Sequence, residues 1–128
     1  MTELEKAALE ARHLAHAPFS GFLVGAAVEA SDGTIYAGCN IENSSYGLTM
    51  CAERVALYHA AARGARRFVR IAIAAGAATL TPPCGACRQV LWDLCGDIEV
   101  ILLNLEGKRE TLRLSTLLPR AFDATYLD

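Results

Sequence analysis

Residues 49–64 read Thr49-Met50-Cys51-Ala52-Glu53-Arg54-Val55-Ala56-Leu57-Tyr58-His59-Ala60-Ala61-Ala62-Arg63-Gly64. Thr49 can cap a helix whose first turn holds Cys51 and Glu53, and Gly64 can end it after Arg63. Val55, Ala56, Leu57, Tyr58, Ala60 and Ala61 make that helix apolar almost all round, so it is expected to lie buried beneath a sheet. The flanking segments supply the sheet. Phe22–Ala30 and Thr34–Cys39 read as strands joined by the turn Ser31-Asp32-Gly33. Val69–Ala75 and Ile98–Asn104 are continuous apolar runs of the kind covered on both faces, and Thr111–Leu114 reads as a short fifth strand. A helix from Cys84 to about Cys95, ended by Gly96, separates the third strand from the fourth. Alternation of this kind implies crossovers and a partly parallel sheet. At the N-terminus, Thr2–Ala17 has helical spacing, a capping box in Thr2 and Glu5, and a stop in Pro18. His13 and His16 then fall in its last turn, where a cation suits the helix dipole. Ser115 caps a last helical piece. The expected architecture is one α/β domain over residues 1–128, a three-layer α/β/α sandwich with a mixed sheet of about five strands.

Composition narrows the function. The chain is 53% hydrophobic and only 20% charged, more apolar than a lone small domain needs, which points to subunit contacts. Net charge is −2, and the nearest thing to a basic stripe is Arg63, Arg66, Arg67 and Arg70 at a helix end. A polyanion-binding protein normally shows a basic face, so a small substrate is expected and a nucleic-acid polymer is not. No apolar run is long enough for a membrane span and the N-terminus lacks a signal-peptide core, so the chain is expected to be cytoplasmic. Five cysteines in such a chain argue for metal or catalysis rather than a disulfide framework.

Cys51 and the pair Cys84 and Cys87, in Pro83-Cys84-Gly85-Ala86-Cys87, have metal-ligand spacing. Zinc takes thiolates tetrahedrally, and a catalytic site keeps one of its four positions open for water. Both cysteine motifs open helices, whose N-termini lower a thiol's pKa and favour the thiolate. Glu53, two residues from Cys51, can reach the open position without being a ligand and serve as the base. Arg54 is a candidate to hydrogen-bond the thiolates and offset their charge. Cys95 and His59 each lie eight residues along a helix from a ligand, about 12 Å away, and are excluded. Cys39, at a strand end, is not excluded by geometry as a fourth ligand, but a small buried hydrophobe is the usual role of a free cysteine and is the expected one here. The loop 40–48, rich in Asn, Ser and Gly, is where binding residues are expected.

These motifs resemble the cytidine deaminase family, in its small form with three cysteine ligands. Gly38-Cys39-Asn40-Ile41-Glu42-Asn43, Ser45-Tyr46-Gly47-Leu48-Thr49 and Cys51-Ala52-Glu53-Arg54 match its central motif, and Pro83-Cys84-Gly85-Ala86-Cys87-Arg88-Gln89 the second. Pro18, Ser20, Phe22 and Val24-Gly25-Ala26-Ala27 are similar to the N-terminal motif, and Leu117-Leu118-Pro119 with Phe122 to the C-terminal one. The resemblance implies one zinc per subunit and hydrolytic deamination of cytidine and deoxycytidine for pyrimidine salvage. In that reaction Glu53 moves protons while hydroxide attacks C4 of the base. It further implies that Phe22, Asn40 and Glu42 contact the nucleoside, the last two through the sugar hydroxyls, and that the Ala52 backbone meets the base. In the implied homotetramer, Phe122 stacks on a base bound next door and Tyr46 lies near the subunit interface. Phe19 and Pro82 depart from the family's usual tyrosine and serine. Rival readings are a deaminase of another aminated heterocycle, such as a nucleoside antibiotic, and a structural zinc module that only binds partners.

Overall fold

Alternate residues of three central strands pack against opposite layers. Ala26, Val28, Ile71, Ile73, Val100 and Leu102 join one buried cluster, while Ala27, Ala72, Ala74, Ile101 and Leu103 join another. That is the period of two of a strand with no solvent face, and it explains why these runs are apolar at every position. The computed structural model of the chain, which describes residues 1–127, builds this arrangement from α1 (Glu3–Arg12), β1 (Val24–Ala30), β2 (Ile35–Cys39), α2 (Ala52–Ala62), β3 (Phe68–Ala75), α3 (Gly85–Cys95), β4 (Glu99–Leu103), β5 (Arg109–Arg113) and α4 (Leu114–Leu117). Single 3₁₀ turns occupy Tyr46–Leu48 and Ala124–Tyr126.

The five strands run in the order β2-β1-β3-β4-β5. β1 is antiparallel to both β2 and β3, β3 and β4 are parallel, and β5 returns antiparallel to β4. The mixed three-layer sandwich expected from the sequence is therefore present. Leu4 and Ala8 of α1 close one face of the sheet. Ala52, Ala56, Leu57 and Ala60 of α2, with Leu91 of α3, fill the other.

Two glycines set how closely the layers approach. A Cβ on Gly25 of β1 would lie 2.0 Å from the Ala8 carbonyl oxygen of α1. A Cβ on Gly38 of β2 would lie 2.4 Å from the Ala56 amide nitrogen of α2. Both helices thus press on the sheet at backbone distance.

Several boundaries differ from the sequence expectation. α1 ends at Arg12 rather than Ala17, so His13 and His16 are outside its last turn. The chain beyond it is captured by the loop after β2. The His16 amide donates to the Asn40 carbonyl at 2.9 Å, and the Glu42 amide donates to the His16 carbonyl at 2.8 Å. Thr2 does cap α1, accepting from the Glu5 amide at 3.2 Å. Glu5 does not complete the capping box with its side chain; it pairs instead with Arg109 of β5 at 2.7 Å. Cys51, not Thr49, is the N-cap residue of α2, in extended geometry (φ −72°, ψ 153°). The Thr49 hydroxyl instead accepts from the Asn43 amide at 3.0 Å. Strand β5 begins two residues earlier than expected, and α4 begins at Leu114, with Asp97 rather than Ser115 supplying a cap: its carboxylate accepts from the Ser115 amide at 2.8 Å.

Candidate active site

Cys51 and Cys84 occupy equivalent places: each is the N-cap residue of a helix that follows the sheet, α2 and α3 respectively. Neither thiol makes a capping hydrogen bond. Both are left to face the gap between the helix starts, where the exposed amide ends and the helix dipoles favour negative sulfur. Cys87, one turn into α3, is fully buried and completes the cluster. The three Sγ atoms all lie within 4.8 Å of one another, and Cys51 Sγ is 3.8 Å from Cys84 Sγ.

That spacing tests the expected ion. Zinc–thiolate bonds of about 2.3 Å in a tetrahedron place neighbouring sulfurs about 3.8 Å apart. The pair is far too distant for a disulfide and correct for two ligands of one zinc. Among the described residues the metal-ligating group comprises these three cysteines alone, so the fourth position of a tetrahedron has no protein donor. Cys39 is not in the cluster; desolvation raises its thiol pKa, as befits a small apolar residue. Cys95, also desolvated, is pushed up to about 12.

The thiols are electrostatically unequal. A hydrogen bond from Cys87, helped by Arg54 and Cys84, pulls Cys51 down to about 5. The same contact with Cys51, together with burial, drives Cys87 the opposite way. Arg54 Nη2 donates to Cys51 Sγ at 3.4 Å, and that contact holds the guanidinium charge more firmly. Its Nε is buried without a hydrogen-bond partner.

Glu53 is 5% exposed. Burial pushes its carboxyl up to about 7, and the neighbouring Cys51 charge acts in the same direction. A carboxyl that holds or gives up a proton near neutrality suits general acid–base work.

The cleft in front of the thiols measures about 280 Å³ and is lined by Phe22, Asn40, Glu42, Ala52, Glu53 and Thr81 among others. Five of the residues expected to serve the reaction thus meet at one cavity with Cys51 and Cys84. Ala52 is fully buried at the head of α2. The Asn40 side chain is largely committed to the protein: Nδ2 donates to the Phe22 carbonyl at 2.8 Å, and Oδ1 accepts from the Val24 amide at 2.9 Å. It therefore fixes the start of β1. Glu42 accepts at Oε1 from the amides of Phe19 and Ser20, at 2.9 and 3.1 Å.

Two expected residues lie elsewhere. Phe122 is 56% exposed, its ring stacked on Tyr126 with centroids 5.8 Å apart, and its carbonyl accepts from Gln89 of α3. It does not line the cleft of its own chain. Tyr46 is 75% exposed and packs edge-on against Phe19, at the mouth beyond Glu42.

Two contributors were not given roles from sequence. Arg88 ties the second cysteine motif down, with Nε donating to the Pro83 carbonyl at 2.7 Å and Nη1 to the Leu117 carbonyl at 2.9 Å. The Ser20 hydroxyl donates to Glu42 Oε2. Both stand inside motifs quoted above, but the Arg88–Leu117 and Ser20–Glu42 contacts join positions 29 and 22 residues apart.

The cleft and its donor set have counterparts in known proteins. The family model for the "Cytidine and deoxycytidylate deaminase zinc-binding region" matches residues 1–103. A cytidine deaminase of Halalkalibacterium halodurans is 51% identical over 122 residues, covering 94% of this chain and 92% of its own. A probable cytidine deaminase of Dictyostelium discoideum is 44% identical over 94% of this chain and 84% of its own length. The crystal structure of cytidine deaminase from Burkholderia pseudomallei superposes with a TM-score of 0.90 at 47% identity, covering 95% of this chain and all of that one. Cytidine deaminase from Mycobacterium tuberculosis gives 0.79 at 39% identity, covering 93% and 94%. Matched in sequence across most of its length and in fold throughout, the chain belongs to the cytidine and deoxycytidylate deaminase zinc-binding family.

Proposed function

We propose that this protein hydrolytically deaminates cytidine and deoxycytidine to uridine and deoxyuridine, releasing ammonia. The carrying observation is a three-thiol cluster with tetrahedral spacing and no fourth protein donor, facing the same cleft as a buried glutamate poised near neutrality. Cys51, Cys84 and Cys87 hold one zinc, which when bound supplies water acidified toward neutral pH. The chain's own groups do the rest. Glu53 accepts one proton from the attacking water and passes it to the ring nitrogen N3 of the base, then accepts the second proton of that same oxygen and delivers it to the amine, which departs as ammonia. Arg54 and the starts of α2 and α3 offset the charge of the thiolates. The backbone at Ala52 meets the base, Phe22 walls it, and Asn40 and Glu42 face the sugar.

The whole chain acts as one catalytic domain in the cytoplasm, assembled as a homotetramer. Support for assembly comes from exposed apolar side chains at Tyr46, Leu48, Phe122 and Tyr126. Exposure of large apolar groups on this scale marks contact surfaces. Phe122, which cannot serve its own cleft, then stacks on a base in a neighbour's, with Tyr46 near the interface. Among the described residues, no helix is long and apolar enough to cross a membrane. The substrate is a free nucleoside rather than a polymer, in keeping with the net charge of −2.

The test compares wild type with Glu53→Gln, following cytidine by ultraviolet absorbance and assaying zinc in both. Wild type is expected to form uridine, and the variant to keep its zinc while losing turnover by several orders of magnitude. If both retain zinc and wild type acts on neither cytidine nor deoxycytidine, the nucleoside assignment is wrong.

A further inference from the structure

The segment between α1 and β1, residues 18–23, crosses the cleft mouth with little of its own burial. Gly21 there has φ +68°, a conformation that suits glycine and lets the chain double back. The turn brings the Ser20 hydroxyl under the Phe22 amide, which donates to Ser20 Oγ at 3.0 Å. The same hydroxyl donates to Glu42 Oε2. One oxygen therefore joins two cleft-lining groups 20 residues apart: the Phe22 amide donates to it, and it donates its own proton to the Glu42 carboxylate.

The carboxylate is otherwise held from one side only. Glu42 Oε1 already accepts two amides, from Phe19 and Ser20. Ser20 is the partner of Oε2, which leaves that oxygen able to accept one more donor from the cleft. The Ser20 hydroxyl is also the foremost cause of the lowered Glu42 pKa, which keeps the carboxylate in its accepting form.

We infer that Ser20 is a positioning residue for sugar recognition: its hydroxyl fixes the Glu42 carboxylate in the pose that receives the nucleoside's sugar hydroxyl. This rests on the nucleoside reading above. It differs from a packing role because Ser20 is exposed and acts through two hydrogen bonds. It differs from a chemical role because Ser20 stands at the cleft mouth, remote in sequence from the thiols and Glu53.

The test uses the zinc-loaded protein with Ser20→Ala, Ser20→Thr and Glu42→Gln. The readouts are kcat and KM for cytidine, and the inhibition constant of 2′,3′-dideoxycytidine, which lacks the sugar hydroxyls that Glu42 would accept. Ser20→Ala is expected to raise the cytidine KM on the order of tenfold, the worth of one hydrogen bond to a charged group. Its kcat should stay within about twofold, and dideoxycytidine binding should be unchanged. Ser20→Thr, which keeps the hydroxyl, should restore KM. In a Glu42→Gln background, Ser20→Ala should add little, because both changes remove one interaction. An unchanged cytidine KM in Ser20→Ala overturns the inference, as does equal weakening of dideoxycytidine, which would mean a general loss of loop structure. Zinc-loaded wild type that does not turn over cytidine would instead sink the nucleoside reading itself, and the inference with it.

Discussion

Arg54 turns its charge into the thiol cluster rather than to solvent. Its Nη2 contacts Cys51 Sγ, and its buried Nε finds no acceptor, so the side chain accepts an unsatisfied donor in order to reach the sulfur. Three thiolates around one divalent zinc leave an excess negative charge, and a donor to one of them withdraws part of it. Cys51 owes its low pKa, about 5, first to Cys87 and next among the favourable contacts to Arg54. The sign of the pH effect follows. A thiol with a lowered pKa stays ionised, and able to hold metal, to a lower pH than a free thiol. Removing Arg54 raises that pKa, so protons displace the metal sooner on acidification. Arg54→Ala is therefore expected to move the midpoint of zinc release to higher pH and to lower activity by about tenfold or more. Titrating zinc release with a chromogenic chelator from neutral to acid pH checks it. A midpoint equal to wild type would leave Arg54 with no influence on the thiols.

At the scale of elements, the site depends on how α2 sits on the sheet. Gly38 permits backbone contact between β2 and α2 at Ala56, within a turn of Glu53, whereas Gly25 permits the same between β1 and α1 on the opposite face. A methyl at either position meets main chain, which cannot swing aside, and overpacking of this kind costs about 1–3 kcal/mol or more. Gly38→Ala and Gly25→Ala are thus both expected to lower the melting temperature by several degrees. Only Gly38→Ala should also weaken zinc binding, because of these two helices only α2 is headed by a metal-site cysteine, Cys51. Melting curves with and without a chelator separate the two. Equal loss of zinc in both variants would show that the helix positions do not bear separately on the site. The same elements show what a sequence exposes. The buried strands and the two cysteine-headed helices were legible because apolar runs covered on both faces and glycine stops are local signals. Cys84 and Cys87 were legible as a pair from their local spacing and Cys51 from its place at a helix start; that the three thiols meet is a property of the fold. The end of α1 was not: helical spacing runs on to Ala17, but the His16–Ile41 bridge outcompetes it through groups that meet only in the folded chain. Glu5 likewise leaves the expected capping box for Arg109, 104 residues away. The Ser20–Glu42 contact escapes a linear reading too, since it needs the turn at Gly21.

At the scale of the whole molecule, the cleft is open on a side where apolar groups are exposed, and one ring expected at the base lies outside it. Phe122 is carried on a segment docked to α3: the Gln89 side chain donates to its carbonyl at 2.8 Å, and Trp92 Nε1 donates to Asp123 Oδ2 at 3.1 Å. With its backbone held in this way, Phe122 is fixed on the outer surface of α3 rather than free to fold over its own thiols. On the assembly proposed above, a ring so placed stacks on a base in another copy of the chain. Base–aromatic stacking is worth about 1–3 kcal/mol, so Phe122→Ala should raise the cytidine KM roughly tenfold or more. The decisive experiment mixes that variant with Glu53→Gln, which lacks the proton-carrying group. Each alone assembles sites that fail in one respect. After the two are dissociated together and reassembled, some sites combine an intact Glu53 from one chain with an intact Phe122 from its neighbour. With random mixing in a symmetric assembly, about a quarter of sites are expected to be whole. Activity at low cytidine concentration should then exceed the average of the two parents. Activity that stays at that average would mean that Phe122 acts within its own chain or not at all, and the shared site would have to be given up while the zinc and Glu53 assignments stood.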